Sequence, residues 1–318
     1  MAFLSQSLKI CDKHLPIYIV GHERPDGDAI GSQIALAVYL NTLGYQAYAV
    51  VTEDTPEIFR TFLNNSPNKN VKDIDVEAKS YWIAVDCGKP SRVSESLRQC
   101  RFLLVIDHHP KEDKWAQFSC VEPAASSTCE ILTFLLSQNG YRFNNTFINE
   151  SLYLGLLTDS GNFSHNNVTQ HTFECAEQLV RAGVEPCKII QRIFNNRTQA
   201  QLKLQSLFLD HVEIYSQDAI VVSTLSFQDY ADTNTNHNDT EGFVNQLLTL
   251  KNAKIAAFIE YNKTFVKGSL RSNQPNIPVN VVAKKWNGGG HICAAGFQCD
   301  LNNFSFKEFI HDLDSLLP

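Results

Sequence analysis

Residues 16–32 read PIYIVGHERPDGDAIGS. The run Pro16–Val20 is short, rich in β-branched and aromatic side chains and almost continuously apolar, which is typical of a strand buried on both faces of a parallel sheet. Across Ala29–Leu43 the apolar residues recur at helical spacing, and Gly44 is a stop signal. The segment therefore predicts a buried strand, a tight turn and a helix.

The same alternation of strand and helix continues along the first half of the chain. Further strands are predicted at Tyr81–Val85 and Phe102–Ile106, and further helices at Ser127–Asn139, Glu150–Leu157 and His171–Ala182. This order is typical of an α/β fold. We therefore expect an N-terminal doubly wound domain with a mainly parallel sheet.

The second half of the chain changes in character after a polar helical stretch. We expect a first domain over residues 1–196, a connector helix over 197–216, and a smaller C-terminal α/β domain over 217–318. The elements predicted for the smaller domain are strands at Ala219–Leu225, Lys254–Glu260 and Thr264–Leu270, a helix within Thr240–Leu250, and a polar, mobile loop over Gln228–Asp239.

Charge and cysteine content restrict the function. There are 34 acidic and 27 basic residues, a net charge of -7, and a pI of about 5.8, which argues against binding to long duplex nucleic acid. The nine cysteines form no C-x-x-C pair, so they are interpreted as reduced thiols rather than a disulfide framework. Without a signal peptide or an 18-residue apolar run, a cytoplasmic location is expected.

Acidic and histidine side chains follow the predicted strands, and Asp159 ends the apolar segment Leu152–Leu157. Because the carboxyl ends of parallel strands share one edge of a sheet, these residues can converge on one cleft. Any one of them could merely cap a loop or helix, as Asp28 could cap the helix from Ala29. Together they would repel one another unless two divalent cations neutralised them, and carboxylates with histidines suit Mn²⁺ or Mg²⁺. The residues are His22, Asp26, Asp28, Asp86, Asp107, His108, His109 and Asp159.

These residues resemble a known family. His22-x-x-x-Asp26-x-Asp28, Asp86, Asp107-His108-His109 and Asp159 resemble the four motifs of the DHH phosphoesterase family. Asn287-Gly-Gly-Gly-His291, followed by Ala294-Ala-Gly296, resembles the signature of the DHHA1 substrate-binding domain, although many relatives have a further glycine in place of Asn287. The resemblance covers nearly the whole chain, whose length is similar to that of the two-domain NrnA-type subgroup.

The resemblance implies a role for each matched residue. His22, Asp26 and Asp86 would hold one metal ion, and Asp28, Asp86, His108 and Asp159 the other, with Asp86 bridging. Asp107 would orient its neighbours, and His109 would face the scissile phosphate as a charge stabiliser or proton donor. The metals are expected to be Mn²⁺, with Mg²⁺ as the alternative, and together they would clamp a phosphoryl group and generate hydroxide at neutral pH.

Residues of the C-terminal motif are expected to bind substrate. Glycines let backbone N–H groups approach a phosphate closely, and an arginine fork binds phosphate well, although a flexible turn and a surface ion pair are the plainer explanations of these features. The expected substrate-binding residues are Arg271, Ser272, Gly288, Gly289, Gly290 and His291.

The expected activity is hydrolysis of short RNA oligonucleotides (nanoRNA) to mononucleotides, as an exonuclease, and of pAp to AMP. A phosphodiesterase for cyclic di-AMP or pApA is the alternative within the same class. A catalytically inactive nucleotide-binding regulatory module is the alternative from another class, and loss of a metal-binding aspartate would be its mark. We expect a homodimer that binds small nucleotides and short oligoribonucleotides. We do not expect it to bind a membrane.

Overall fold

A computed structural model describes residues 3–53, 55–110 and 115–317. The chain divides into two compact units, Met1–Asn195 and Asn196–Pro318. Each unit has its own buried apolar core. Among the described residues, no helix has both the length and the apolar character needed to cross a bilayer.

The first unit is an α/β structure with seven helices and six strands among its described residues. The helices are α1 (Phe3–Leu8), α2 (Gly27–Thr42), α3 (Glu57–Leu63), α4 (Thr128–Gln138), α5 (Thr146–Asp159), α6 (Gln170–Arg181) and α7 (Pro186–Ile193). The strands are β1 (Pro16–Val20), β2 (Gln46–Val51), β3 (Asn68–Asn70), β4 (Tyr81–Val85), β5 (Phe102–Asp107) and β6 (Ala116–Val121).

The six strands form one sheet in the order β3-β2-β1-β4-β5-β6, and every neighbouring pair is parallel. The predicted parallel α/β domain is therefore confirmed. Strand order reverses between β1 and β4, and ligands of such sheets bind beyond the carboxyl ends of the strands at this point. The interior strand β5 is buried at every position, whereas the edge strand β6 is buried only at Ala116.

Two helices pack unusually closely beneath this edge of the sheet. A Cβ on Gly31 of α2 would overlap the carbonyl oxygen of Ser151 in α5, and one on Gly155 of α5 would overlap the Cys129 thiol and the Asp28 carboxylate. Only glycine permits this approach. The close packing brings the start of α2, the start of α4 and the end of α5 together.

The second unit contains a mixed sheet flanked by short helices. Its helices are α8 (Gln199–Asp210), α9 (Phe227–Thr233), α10 (Phe243–Leu247), α11 (Val279–Lys285) and α12 (Phe306–Asp314). Its strands are β7 (Glu213–Tyr215), β8 (Ile220–Ser226), β9 (Ile255–Tyr261), β10 (Phe265–Ser272), β11 (Gly289–His291) and β12 (Ala294–Asp300). The order is β11-β12-β10-β9-β8-β7, in which only β8 and β9 are parallel.

Two segments of the second unit differ from the sequence-based expectation. The helix expected over 197–216 ends at Asp210, because the chain then forms strand β7 against β8; its Phe208 is fully buried in the second unit. The segment Gln228–Asp239, expected to be a loop, is largely helical. Ser226 and Asp229 form a capping box that starts α9, and the Tyr230 hydroxyl donates to Glu260 at 2.6 Å.

Candidate metal centre

The predicted ligands of the first unit meet at the strand-order reversal. His22 follows β1, Asp86 follows β4, and His108 follows β5. Asp159 is the last residue of helix α5 rather than a strand-end residue. Strand geometry and the close α2–α5 packing together place these side chains at one edge of the sheet.

Asp86 occupies the centre of the cluster. Its backbone has a φ of +52°, a left-handed conformation that costs a non-glycine residue free energy and that is concentrated at functional sites. Its Oδ2 lies 3.4 Å from Nε2 of His22, and its Oδ1 lies 3.6 Å from Nε2 of His108. The two oxygens of one buried carboxylate therefore face two different histidines.

His22 is oriented so that one ring nitrogen faces the carboxylates. Its Nδ1 donates to the carbonyl oxygen of Glu23 at 2.7 Å, so Nε2 is the ring nitrogen that is left to bind a metal ion. Nε2 is 3.6 Å from Oδ2 of Asp26. The ligand atoms of His22, Asp26 and Asp86 all lie within 4.8 Å of one another.

A second group of ligand atoms consists of Asp28, His108 and Asp159. His108 places Nδ1 3.3 Å from the carbonyl oxygen of Ala125 and Nε2 3.3 Å from Oδ2 of Asp159. A cation with oxygen and nitrogen ligands at ~2.1 Å brings neighbouring ligand atoms to ~3 Å, close to these separations. The residues present therefore fit two divalent cations, and hard oxygen donors with imidazoles suit Mn²⁺ or Mg²⁺. Asp86, His108 and His109 form a third overlapping group.

Asp26 and Asp28 have different structural roles. Asp26, not Asp28, caps α2, because its Oδ1 accepts from the backbone N–H groups of Asp28 and Ala29, each at 3.0 Å. Asp28 is fully buried in the first turn. Its carboxylate accepts from the N–H groups of Thr128 at 2.6 Å and Cys129 at 2.9 Å, so the start of α4 binds this anion.

The cluster is electrostatically unfavourable without cations. Burial and the charges of Asp86, Asp159 and Asp26 raise the pKa of Asp28 well above its ordinary value. Burial and the charges of Asp26 and Asp86 raise the pKa of Asp159 to about 7. Although burial works against it, hydrogen bonding to Asp26 and Asp86 raises the pKa of His22 to about 10. The raised pKa values mean that these side chains bind protons more readily when no cation is present, and divalent cations would replace those protons.

His109 lies between the carboxylate of Asp107 and the guanidinium of Arg92. Its Nδ1 is 2.9 Å from Oδ1 of the buried Asp107, whose side chain also accepts from the His109 backbone N–H at 3.2 Å. Its Nε2 is 3.1 Å from Nη1 of Arg92. The hydrogen bond to Asp107 raises the pKa of His109, and the charge of Arg92 opposes that shift. Arg92 was not predicted from the sequence.

The predicted substrate-binding residues of the second unit lie around strand β12. Arg271 on β10 and His291 on β11 both pair with Ala294, so they share one face of the sheet on either side of β12. Asn287 has a φ of +62°, which asparagine tolerates, and Gly290 has a φ of +137°. The hydroxyl of Ser272 donates to the carbonyl oxygen of Ile277 at 2.8 Å and is therefore engaged within its own turn.

Arg271 is a half-buried cation that forms no ion pair with an acidic side chain among the residues that the structure describes. Burial lowers the pKa of its guanidinium, and its Nη1 donates to the carbonyl oxygen of the neighbouring Leu270, at 2.9 Å. Trp286, which directly precedes the Asn287–His291 motif, is buried, and its indole nitrogen donates to Asp312 at 3.0 Å.

Glu130 stabilises the turn before α4, which contacts the group of predicted metal ligands. No sequence pattern indicates this role. Its buried carboxylate accepts from the Ser126 N–H at 3.2 Å, the Ser126 hydroxyl at 2.5 Å and the Thr172 hydroxyl at 2.9 Å. These contacts fix the turn in which Ser127 caps α4. Glu130 thus helps to hold the α4 amides against Asp28.

We expect Glu130→Ala to lower the free energy of unfolding by ~2–4 kcal/mol, since buried donors lose their acceptor. The affinity for Mg²⁺ should also fall, because the turn before α4 is no longer fixed. Urea unfolding and calorimetric titration measure both effects. Glu174→Ala, which removes an exposed carboxylate on α6, is the matched control and should change stability by less than ~0.5 kcal/mol. Equal effects of the two substitutions would contradict this role.

Comparison with known proteins supports the assignment of both units. The DHH family, N-terminal domain, matches residues 16–158, and the DHHA1 domain matches residues 217–317. The bifunctional oligoribonuclease and PAP phosphatase NrnA of Thermus thermophilus is 29% identical over 281 residues, covering 88% of this chain and 83% of the relative. The cyclic-di-AMP phosphodiesterase PdeA of Listeria monocytogenes is 25% identical over 307 residues, covering 89% of this chain but 44% of that protein.

A solved structure shows the same fold. The crystal structure of an exopolyphosphatase-related protein from Bacteroides fragilis matches with a TM-score of 0.86 at 23% identity, covering 98% of this chain and 94% of the other. The two family matches span most of the chain. The chain therefore belongs to the DHH phosphoesterase family, hydrolases of phosphodiester or phosphate bonds, and carries a DHHA1 domain.

Proposed function

We propose that this protein is a two-metal phosphoesterase that hydrolyses short RNA oligonucleotides to mononucleotides and dephosphorylates pAp to AMP. The observation that carries the proposal is the presence of two neighbouring groups of ligand atoms, those of His22, Asp26 and Asp86 and those of Asp28, His108 and Asp159; within each group the atoms lie within 4.8 Å of one another. The NrnA relative adds the substrate class. All of the metal-binding aspartates expected from the sequence are present, which disfavours an inactive binding module.

The predicted metal-binding residues would bind two cations. His22 and Asp26 would hold one, Asp28, His108 and Asp159 the other, and Asp86 both. The cations, preferably Mn²⁺ or alternatively Mg²⁺, would supply positive charge for the phosphoryl oxygens and hydroxide at neutral pH. The backbone carbonyl oxygens of Glu23 and Ala125 orient the two histidines for this task.

The protein's own groups would act on the phosphate and the distal part of the substrate. Asp107 would hold the ring of His109 in place, and the family resemblance gives His109 the role of stabilising charge or donating a proton at the scissile phosphate. In the second unit, Arg271 and His291 bind a distal phosphate or base, and the glycines 288–290 let backbone N–H groups approach it. Ser272 contributes by holding the end of β10, where Arg271 lies.

The decisive test is a substrate panel with purified protein and Mn²⁺. Dinucleotide RNA, pAp, pApA and cyclic di-AMP are compared by kcat/KM, with EDTA as the control. We expect dinucleotide RNA and pAp to be the better substrates. A preference for cyclic di-AMP or pApA would favour the second candidate function, which the PdeA relative supports. Nucleotide binding without hydrolysis of any compound would contradict the proposed function.

Arg271→Ala should separate binding from chemistry. Because a remote contact acts only on substrates that carry the group it binds, we expect KM for pAp and dinucleotides to rise ~10–100-fold. Bis-p-nitrophenyl phosphate, which lacks that group, should be hydrolysed at nearly the wild-type rate. The exposed Lys307→Ala on α12 serves as a control with unchanged KM. A collapse of activity towards both substrate types would place Arg271 in the catalytic centre or in the fold.

Two further properties stay predictions. All nine cysteines are free, which supports a reducing, cytoplasmic location. The expected homodimer is tested by analytical ultracentrifugation of the full chain.

A further inference from the structure

Arg92 lies beside the DHH motif but has no assigned role. It ends the short 3₁₀ turn Pro90–Arg92, which comes a few residues after strand β4 and Asp86. Its carbonyl oxygen accepts from the Glu23 N–H at 2.6 Å, and the next residue, Val93, is fully buried. The backbone at Arg92 is thus tied to the loop after β1 and to the core, so its side chain starts from a fixed point.

The contact with His109 has a defined direction. A guanidinium has only donors, so the 3.1 Å contact between Arg92 Nη1 and His109 Nε2 requires a lone pair on Nε2. The proton of the ring then lies on Nδ1, where Asp107 accepts it at 2.9 Å. Asp107, His109 and Arg92 therefore form a directed chain of hydrogen bonds, and both ring nitrogens of His109 are engaged within it.

Arg92, at one end of this chain of hydrogen bonds, is a cation that has further N–H groups available. Only one of the five N–H groups of Arg92 is used in the His109 contact, and no carboxylate among residues 3–53, 55–110 and 115–317 forms an ion pair with Arg92. Because the imidazole of His109 is neutral when it accepts this hydrogen bond, it orients the guanidinium of Arg92 without cancelling its positive charge. Such a fork matches two oxygens of a phosphoryl group.

We propose that Arg92 is the residue that binds the oxygens of the scissile phosphoryl group, and that His109 positions Arg92 rather than contacting the phosphate itself. This inference rests on the proposed function for the identity of the anion, and it revises the role that the family resemblance gives to His109. Arg92 is then a catalytic residue, and His109 and Asp107 are positioning residues.

Binding of inorganic phosphate to the Mg²⁺-loaded full chain, followed by calorimetry, tests the proposal without requiring turnover. We expect Arg92→Ala to raise the phosphate Kd ~10–100-fold, as for loss of a charged hydrogen bond, and Arg92→Lys to raise it less. Arg98→Ala is the matched control. Arg98 donates to the Val93 carbonyl oxygen at 3.0 Å and pairs with Glu23 at 3.2 Å, so it supports the same loop and contacts none of the predicted ligands. It should change the Kd by less than about twofold.

A double-mutant cycle separates the two roles. If His109 acts through Arg92, His109→Ala should weaken phosphate binding in the wild-type background but add little to Arg92→Ala. With bis-p-nitrophenyl phosphate, Arg92→Ala should lower kcat by ~10²–10³-fold, as for loss of a donor to transition-state charge. Mg²⁺ affinity should stay at the wild-type value in both single variants.

Several results would overturn the inference: an unchanged phosphate Kd in Arg92→Ala, an equal loss in Arg98→Ala, multiplying effects in the double variant, or lost Mg²⁺ affinity in Arg92→Ala. If the wild-type protein hydrolyses no phosphate ester, the proposed function fails, and the phosphate titration still decides the role of Arg92.

Discussion

Asp86→Ala should lower kcat for every phosphate ester by ~10³-fold or more, because the carboxylate that we propose binds both cations is lost. The buried Asp86 faces His22 with one oxygen and His108 with the other, at 3.4 and 3.6 Å. Elemental analysis after loading with Mn²⁺ and gel filtration should show that neither cation is retained in full. By contrast, substitution of a residue that binds only one cation should leave the other cation bound.

The fold should survive this substitution. Asp86 lies among like charges in the metal-free protein, and its carboxylate contributes to the raised pKa of Asp28. Its left-handed backbone suits asparagine better than alanine, so Asp86→Asn is the companion variant with the same expected loss of activity and metal. Asp73→Asn, at an exposed position of the same unit, is the control. Near wild-type turnover in Asp86→Asn would contradict the two-metal assignment.

The sequence predicts the part of the site that depends on strand ends. Buried apolar runs locate β1, β4 and β5, and residues just after such runs meet at one edge of a parallel sheet. His22, Asp86 and His108 are found there for this reason. The weak edge strands β3 and β6 were not predicted, because edge strands lack a continuous apolar pattern.

Contacts made by backbone groups could not be predicted. Asp28 is bound by the amides of Thr128 and Cys129, a hundred residues away, and an amide carries no residue-type signal. Arg92 meets His109 only because a 3₁₀ turn is tied to the loop after β1. By contrast, the Ser226-x-x-Asp229 pattern is a local signal for the start of α9. The segment was nevertheless expected to be a loop, because the residues that follow are very polar.

Removing the metal ions should reverse the pH dependence of stability. In the metal-free protein the pKa of Asp159 is raised from 3.8 to about 7 and that of His22 from 6.5 to about 10. Between those values the native state binds protons that the unfolded chain has released, so the free energy of unfolding falls as the pH rises. We expect a fall of roughly 3 kcal/mol between about pH 5 and 8.5, less than the separate shifts would give because the groups are coupled.

Saturating Mg²⁺ should give the opposite slope over the same range. Divalent cations bind the deprotonated ligands, so their affinity rises with pH and the bound native state gains stability. Urea unfolding at pH 5–8.5, with either EDTA or Mg²⁺, measures both slopes. Asp159→Asn should flatten the EDTA slope below about pH 7, because this position then releases no proton, and the His22 contribution above that pH should remain. Slopes of the same sign in EDTA and in Mg²⁺ would mean that Asp159 and His22 do not exchange protons for metal, and the ligand assignment would then be wrong.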